Sequence, residues 1–166
     1  MTAVEIYMAQ ENIILKKYGE CKERLENISE ESADEINIFK IKLRTYFGCL
    51  HMGLLCATMK EGHAERALAA RGKIISDVLV HYPRINEAFT SLKGDEKEIF
   101  IAAVQGELYI RNKLYDNYIS EYESAKASGN AEKASEFSIQ IEAIEDVLNA
   151  FESWRKENGI YPCIFE

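Results

Sequence analysis

From Asp95 to about Ala127, apolar residues recur on a helical period: Ile99, Phe100, Ala103, Val104, Leu108, Ile110, Leu114, Tyr115, Tyr118, Ile119 and Tyr122. They cover more than one 3.6-residue stripe. The polar residues Gln105, Asn112, Asp116, Ser120 and Glu123 are left on one narrow line. The stretch has no proline and a single glycine, Gly106. It predicts one helix over 95–127, about 50 Å long at about 1.5 Å per residue. So little solvent-facing surface calls for neighbours on two sides, which makes this helix the central strut of the molecule.

The remaining segments repeat the pattern. Over residues 3–28, Ile14, Tyr18, Cys21, Leu25 and Ile28 step by four and three, with lysines and glutamates opposite. Ser32 and Glu35 have the spacing of a capping box. A second helix over 33–60 carries Ile36, Leu43, Phe47, Leu50, Leu54 and Ala57 on one face. Beside them runs a second stripe, Cys49, Met52, Cys56, Met59 and His63. After the Glu61-Gly62-His63 turn, a third helix is expected over 64–81 around Leu68, Ile74, Ile75, Val78 and Leu79. Pro83 and Gly94 bracket a less regular segment. Asp95 with Glu98 is expected to cap the long helix, and Asn130 the last, over 131–158, with Gly159 as its stop. The tail 160–166, Ile-Tyr-Pro-Cys-Ile-Phe-Glu, is too apolar to leave in water.

Gly62-His63-Ala64-Glu65-Arg66-Ala67 and Gly129-Asn130-Ala131-Glu132-Lys133-Ala134 align at an offset of 67 residues. In that register Phe47 matches Leu114 and Ile74 matches Ile141. Two helical hairpins with a shared turn follow, and packed together they make an antiparallel four-helix-type bundle. Residues 3–28 add a fifth helix. The expected fold is a single all-α domain over 1–166.

Composition narrows the function classes. Two prolines, nine glycines and 47% hydrophobic residues suit a helical globular protein. A net charge of −8 with no basic cluster argues against nucleic acid and anionic membranes as partners. The first dozen residues carry Glu5 and Glu11 and no apolar run, so no signal peptide is expected and the location reads as cytoplasmic. The four cysteines form no C-x-x-C pair and read as reduced, mostly buried thiols.

Little in the chain carries chemistry. There is no Gly-rich phosphate loop, G-x-S-x-G, H-E-x-x-H or E-x-x-H. The Cys49-to-His63 stripe spreads over three turns or more rather than converging, so core filling is expected there and no metal or cofactor. Arg44 and His51, with six residues between them, match the loose R-x4–6-H pattern of HEPN ribonuclease bundles. That is the enzyme alternative to a non-catalytic reading, and the acidic balance opposes it. Arg111 lies among Val104, Leu108, Tyr115 and Tyr118, where a guanidinium needs a carboxylate or an aromatic face. The tyrosines of this helix divide between core filling and contact with a partner.

The order of segments resembles the flagellar export chaperones of the FliS type. The residues that carry the likeness are Tyr46 to Ala57, the Lys60-Glu61-Gly62-His63 turn and Ala70 through Ile74-Ile75 to Leu79. They continue with Leu114-Tyr115-Asp116-Asn117-Tyr118, Ser128-Gly129-Asn130 and Glu145 to Trp154. Asn117 interrupts the Leu114–Tyr118 motif, and residues 1–35 form a helix where the family has a short arm. The resemblance implies a chaperone that holds a flagellin-like or other helical client in an apolar groove. The candidate partner-binding residues are then Ile110, Arg111, Leu114, Tyr115, Tyr118 and Tyr122, with the tail able to cover an empty groove. A tetratricopeptide-like interaction domain is a further alternative, because Gly-Asn-Ala-Glu-Lys-Ala resembles its inter-helix turn; the unbroken 95–127 stretch opposes it.

Overall fold

The computed structural model describes residues 1–57, 87 and 89–160. All regular structure among them is helical: α1 (Ala3–Asn27), α2 (Ala33–Ala57), α3 (Asp95–Ile110), a π turn (Arg111–Tyr115), α4 (Asp116–Ala127) and α5 (Ala131–Glu157). The all-α expectation holds for these residues. The expected helix over 64–81, the first copy of the repeated turn and tail residues 161–166 lie outside the described residues.

α1 opens on a capping box that the sequence reading missed. Thr2 Oγ1 accepts from the Glu5 amide at 3.2 Å, and Glu5 accepts from the Thr2 amide at 2.6 Å. Two amides without helical partners are thereby satisfied. Its buried positions are Ile6, Gln10, Ile14 and Cys21, so the inward face starts two turns before Ile14 and includes a polar residue. Against α2, Arg24 meets Glu35 at 2.9 Å and the Cys21 thiol donates to the Phe39 carbonyl at 3.3 Å. The Tyr18 and Phe47 rings lie 6.5 Å apart. Partner numbers therefore fall along α1 as they rise along α2.

On α2 the expected stripe is corrected at Phe47, while Leu43 and Leu50 of the same stripe pack against the main core. Ile41, Thr45, Tyr46 and Cys49 are buried, whereas Phe47 is 59% exposed. The buried face is the one that carries Cys49, well over a quarter-turn from the one that carries Phe47 at about 100° per residue. Thr45 can sit inside because its hydroxyl donates back to the Ile41 carbonyl at 2.8 Å.

α3 begins after Gly94, which takes φ +57 and offers no side-chain cap. That corrects the Asp95–Glu98 cap: the turn needs a positive φ, which glycine supplies without steric cost, and Asp95 is already the first helical residue. α5 starts as expected, with the Asn130 side chain accepting from the Lys133 amide at 3.2 Å. It ends as expected at Gly159, φ +67. The Gly159 and Ile160 amides donate to the Lys156 and Arg155 carbonyls at 3.2 and 2.9 Å, the paired bonds of a Schellman turn.

The main core joins Ile14 and Cys21 of α1, Tyr46 and Cys49 of α2, Ile110 of α3, and Ala143, Ile144, Val147, Leu148 and Phe151 of α5. A smaller cluster of Ile6, Ala102 and Ala103 lies under Ile99, Trp154 and Ile160. Between α1 and α3, Gln10 Nε2 donates to the Ala103 carbonyl at 2.8 Å. A Cβ on Gly106 would stand 2.7 Å from Gln10 Oε1, so the end of the Gln10 side chain would have to move away from its place against Ala103. Gly106→Ala is expected to lower stability by about 1 kcal/mol. The lost buried hydrogen bond outweighs the roughly 1 kcal/mol that alanine gains in a helix. Adding Gln10→Ala should return part of that loss, a coupling that urea unfolding of the single and double variants measures.

Candidate functional site: the π turn and the aromatic row beyond it

The helix expected over 95–127 is a rod in three parts whose surroundings change at the π turn. On α3, Phe100, Ala102, Ala103, Val104, Glu107, Leu108 and Ile110 are all buried. None of the five π-turn residues is buried, and in α4 only Ala125 is. A π turn adds one residue to a helical turn and so rotates every side chain after it. Here the rotation comes where the rod leaves the enclosure of α1 and α2. Among the described residues α4 then packs chiefly on α5.

The six candidate contact residues straddle this change. Ile110 belongs to the core, at 1% exposure, and so fills the interior rather than facing outward. The Arg111 guanidinium lies 5.2 Å from the centre of the Tyr115 ring, the aromatic support that its setting demanded. The Tyr115 hydroxyl donates to Glu145 Oε1 at 2.8 Å. Leu114, Tyr115 and Tyr118 are half-buried against the rim of the main core. Tyr118 tilts against Phe137 with ring centres 6.1 Å apart. Tyr122, also half-buried, lies 5.8 Å from the Lys126 ammonium. Asn112, Asp116, Ser120 and Glu123 are exposed, as the narrow polar line required. Burial, and then the bond to Glu145, raises the Tyr115 phenol; burial raises Tyr118. Both remain neutral hydrogen-bond donors with apolar bodies, suited to contact rather than to proton transfer.

The most strongly charged interior feature lies next to the π turn. Arg155 Nε and Nη2 donate to the two Glu107 oxygens at 2.6 and 3.1 Å, and the side chains are only 2% and 0% exposed. Sequence reading missed this pair, yet a signal was present. Arg155 continues the Ile144, Leu148, Phe151 progression at the next step of four, a charged residue on a buried stripe. Burial pushes the Glu107 carboxyl up to about 7, against the opposing pull of Arg155 and, more weakly, Arg111; Glu152 adds to the rise. The folded chain therefore holds a proton on Glu107 between its ordinary value of 4.5 and about 7, where the unfolded chain does not. That stabilisation is complete below the unfolded value and is lost as pH rises through about 7. Unfolding free energies of wild type and Glu107→Gln between pH 4 and 8 should show wild type losing ground to the variant as pH rises.

The other candidates separate. Arg44 makes an exposed ion pair with Glu136 at 3.2 Å; the His51 side chain lies outside what is described. Cys21 and Cys49 are buried, and burial raises both thiols, Cys49 to about 12, which removes nucleophilic thiolate. Cys56, Met59 and His63 of the soft-ligand stripe lie outside the described side chains. Among the described residues no three His, Cys, Asp or Glu converge to hold a metal. No described helix is long and apolar enough to cross a membrane. No protein-family model, no curated protein and no solved structure matches the chain.

Proposed function

We propose that the protein is a non-catalytic, cytoplasmic binding module of the chaperone kind, built as an antiparallel helical bundle with one additional N-terminal helix. It holds an amphipathic helical segment of a client protein against the row formed by Arg111, Leu114, Tyr115, Tyr118 and Tyr122. The observation that carries this reading is the loss of enclosure across the π turn, from a buried α3 to a half-open α4 that keeps its aromatic side chains. Half-buried tyrosines in a row supply apolar area and hydroxyl donors together, the combination favoured where a helix docks in a groove. The numbering of the α1–α2 contacts, and the Lys42–Glu142 and Arg44–Glu136 pairs between α2 and α5, support the antiparallel arrangement. The likeness of Leu114-Tyr115-Asp116-Asn117-Tyr118 to the flagellar export chaperones points to a flagellin-like or other exported helical client.

The test is affinity capture from the source cytosol with wild type and with Tyr118→Lys/Tyr122→Lys, read by mass spectrometry. One helical client, recovered at least tenfold less by the variant, is expected. Equal recovery by both proteins would remove the aromatic row from the binding surface. Co-purifying RNA that depends on Arg44 and His51 would replace the proposal with the nuclease reading.

A further inference from the structure

Where α1, α2 and α5 meet lies a polar recess of about 250 Å³ that the aromatic row does not use. Lys17 and Glu20 of α1, Lys42 and Tyr46 of α2 and Asp146 of α5 line it, together with Phe39. The volume falls below the range of most small-molecule sites. It is too small for a nucleotide or a peptide helix and suits a metabolite the size of one amino acid.

The polar groups of this recess are little used within the chain. Tyr46 is 6% exposed, yet its hydroxyl makes no hydrogen bond among the described residues. Burial, and then the Asp146 carboxylate, pushes that phenol up to about 12, so it stays neutral and can both donate and accept. Half-buried Lys17 forms no ion pair among the described residues, and neither does Glu20 or Asp146. Lys42 meets Glu142 only at 3.6 Å, too long for a good hydrogen bond, although its side chain is 20% exposed. A buried hydroxyl without a partner costs stability that phenylalanine at the same place would not. The fold itself gains nothing from this hydroxyl.

The signs of the lining define what fits. Two ammonium groups and two carboxylates share one small recess. A simple anion is repelled by Glu20 and Asp146, and a simple cation by Lys17 and Lys42. A molecule that carries both charges a few atoms apart is attracted by all four. We propose that this recess binds a free α-amino acid, with its carboxylate between Lys17 and Lys42 and its ammonium at Asp146 beside the Tyr46 hydroxyl. Phe39 offers apolar surface to the ligand's side chain. Binding satisfies the buried hydroxyl and ties α5 to the α1–α2 pair, so the ligand stabilises the folded chain by mass action. No group of this recess belongs to the aromatic row, so the inference stands apart from the client proposal and is tested without any client.

The full-length protein is screened against the standard L-amino acids at about 10 mM, enough to fill a millimolar site, by thermal shift. Each hit is then measured by isothermal titration calorimetry. At least one amino acid is expected to bind, and its decarboxylated amine and its deaminated acid to bind at least tenfold more weakly. Tyr46→Phe is expected to melt at or above the wild-type temperature without ligand, and to lose at least tenfold in affinity. Asp146→Asn should lose as much, whereas Lys133→Met, at the exposed start of α5, should bind as wild type does. The absence of any hit, equal binding of the amine or the acid alone, or unchanged affinity in Tyr46→Phe would each overturn the site.

Discussion

Glu107→Leu is expected to destabilise the protein by about 3–5 kcal/mol, the cost of leaving half of a buried ion pair behind. The Arg155 guanidinium cannot deprotonate, lies 2% exposed, and would lose both carboxylate oxygens. Removing the other partner is not equivalent. In Arg155→Met the stranded Glu107 can neutralise itself by taking a proton, which burial already favours. That variant should therefore lose less, about 1–3 kcal/mol, the ordinary cost of a buried polar group without its partner. With both replaced, Glu107→Leu/Arg155→Met, an apolar pair of similar volume fills the space. Stability should return to near wild type or above it. Urea unfolding of the four proteins closes a double-mutant cycle. Additive losses would mean that the two side chains do not act as a pair.

Phe151→Ala should cost a similar amount, about 3–5 kcal/mol, for a different reason. Phe151 is 1% exposed in the cluster where Ile14, Cys49, Ile110 and Ile144 meet. Four helices contribute to that cluster, so no single element can move in to close the cavity without disturbing the others. Phe151→Leu keeps most of the volume and should cost under about 1.5 kcal/mol. A thermal melt distinguishes the two; equal losses would show that aromatic shape rather than volume is what the site requires.

The two predictions bear on the proposed function through the rod. Glu107 and Ile110 hold the end of α3 inside the molecule, and the π turn begins at the next residue. The Glu107 pair ties that end to the last turn of α5, while Tyr115 ties the π turn to Glu145 on the same helix. Weakening the first tie without touching Tyr118 or Tyr122 should reduce stability more than client affinity measured well below the melting point.

Much of the helical outline was legible from residue order alone. Asn130 and Gly159 mark the ends of α5 because a side-chain acceptor and a positive φ are local requirements that the residue itself meets. The exposed line from Asn112 to Glu123 follows from period and polarity in the same way. Which face turns inward on α2 was not legible. That helix carries apolar residues nearly all round, so its own period cannot choose between the stripe through Phe47 and the one through Cys49; α1 and α5 make that choice. The Gly94 start of α3 was hidden behind a plausible aspartate because the deciding quantity is a backbone angle.

Of the candidate surface, the residue types and their place on one helix came from the sequence. The burial of Ile110 and the exposure beyond it depend on where α1 and α2 stop covering the rod. The polar interior was beyond sequence reading for the same reason. Gln10 is far along the chain from Ala103, and Glu107 from Arg155, and each of these polar side chains is tolerable inside only when its partner from another helix arrives. Local periodicity determines which segments are helices and where they end. Only the packing of one helix against another decides which polar groups are satisfied, and so which ones the interior can keep.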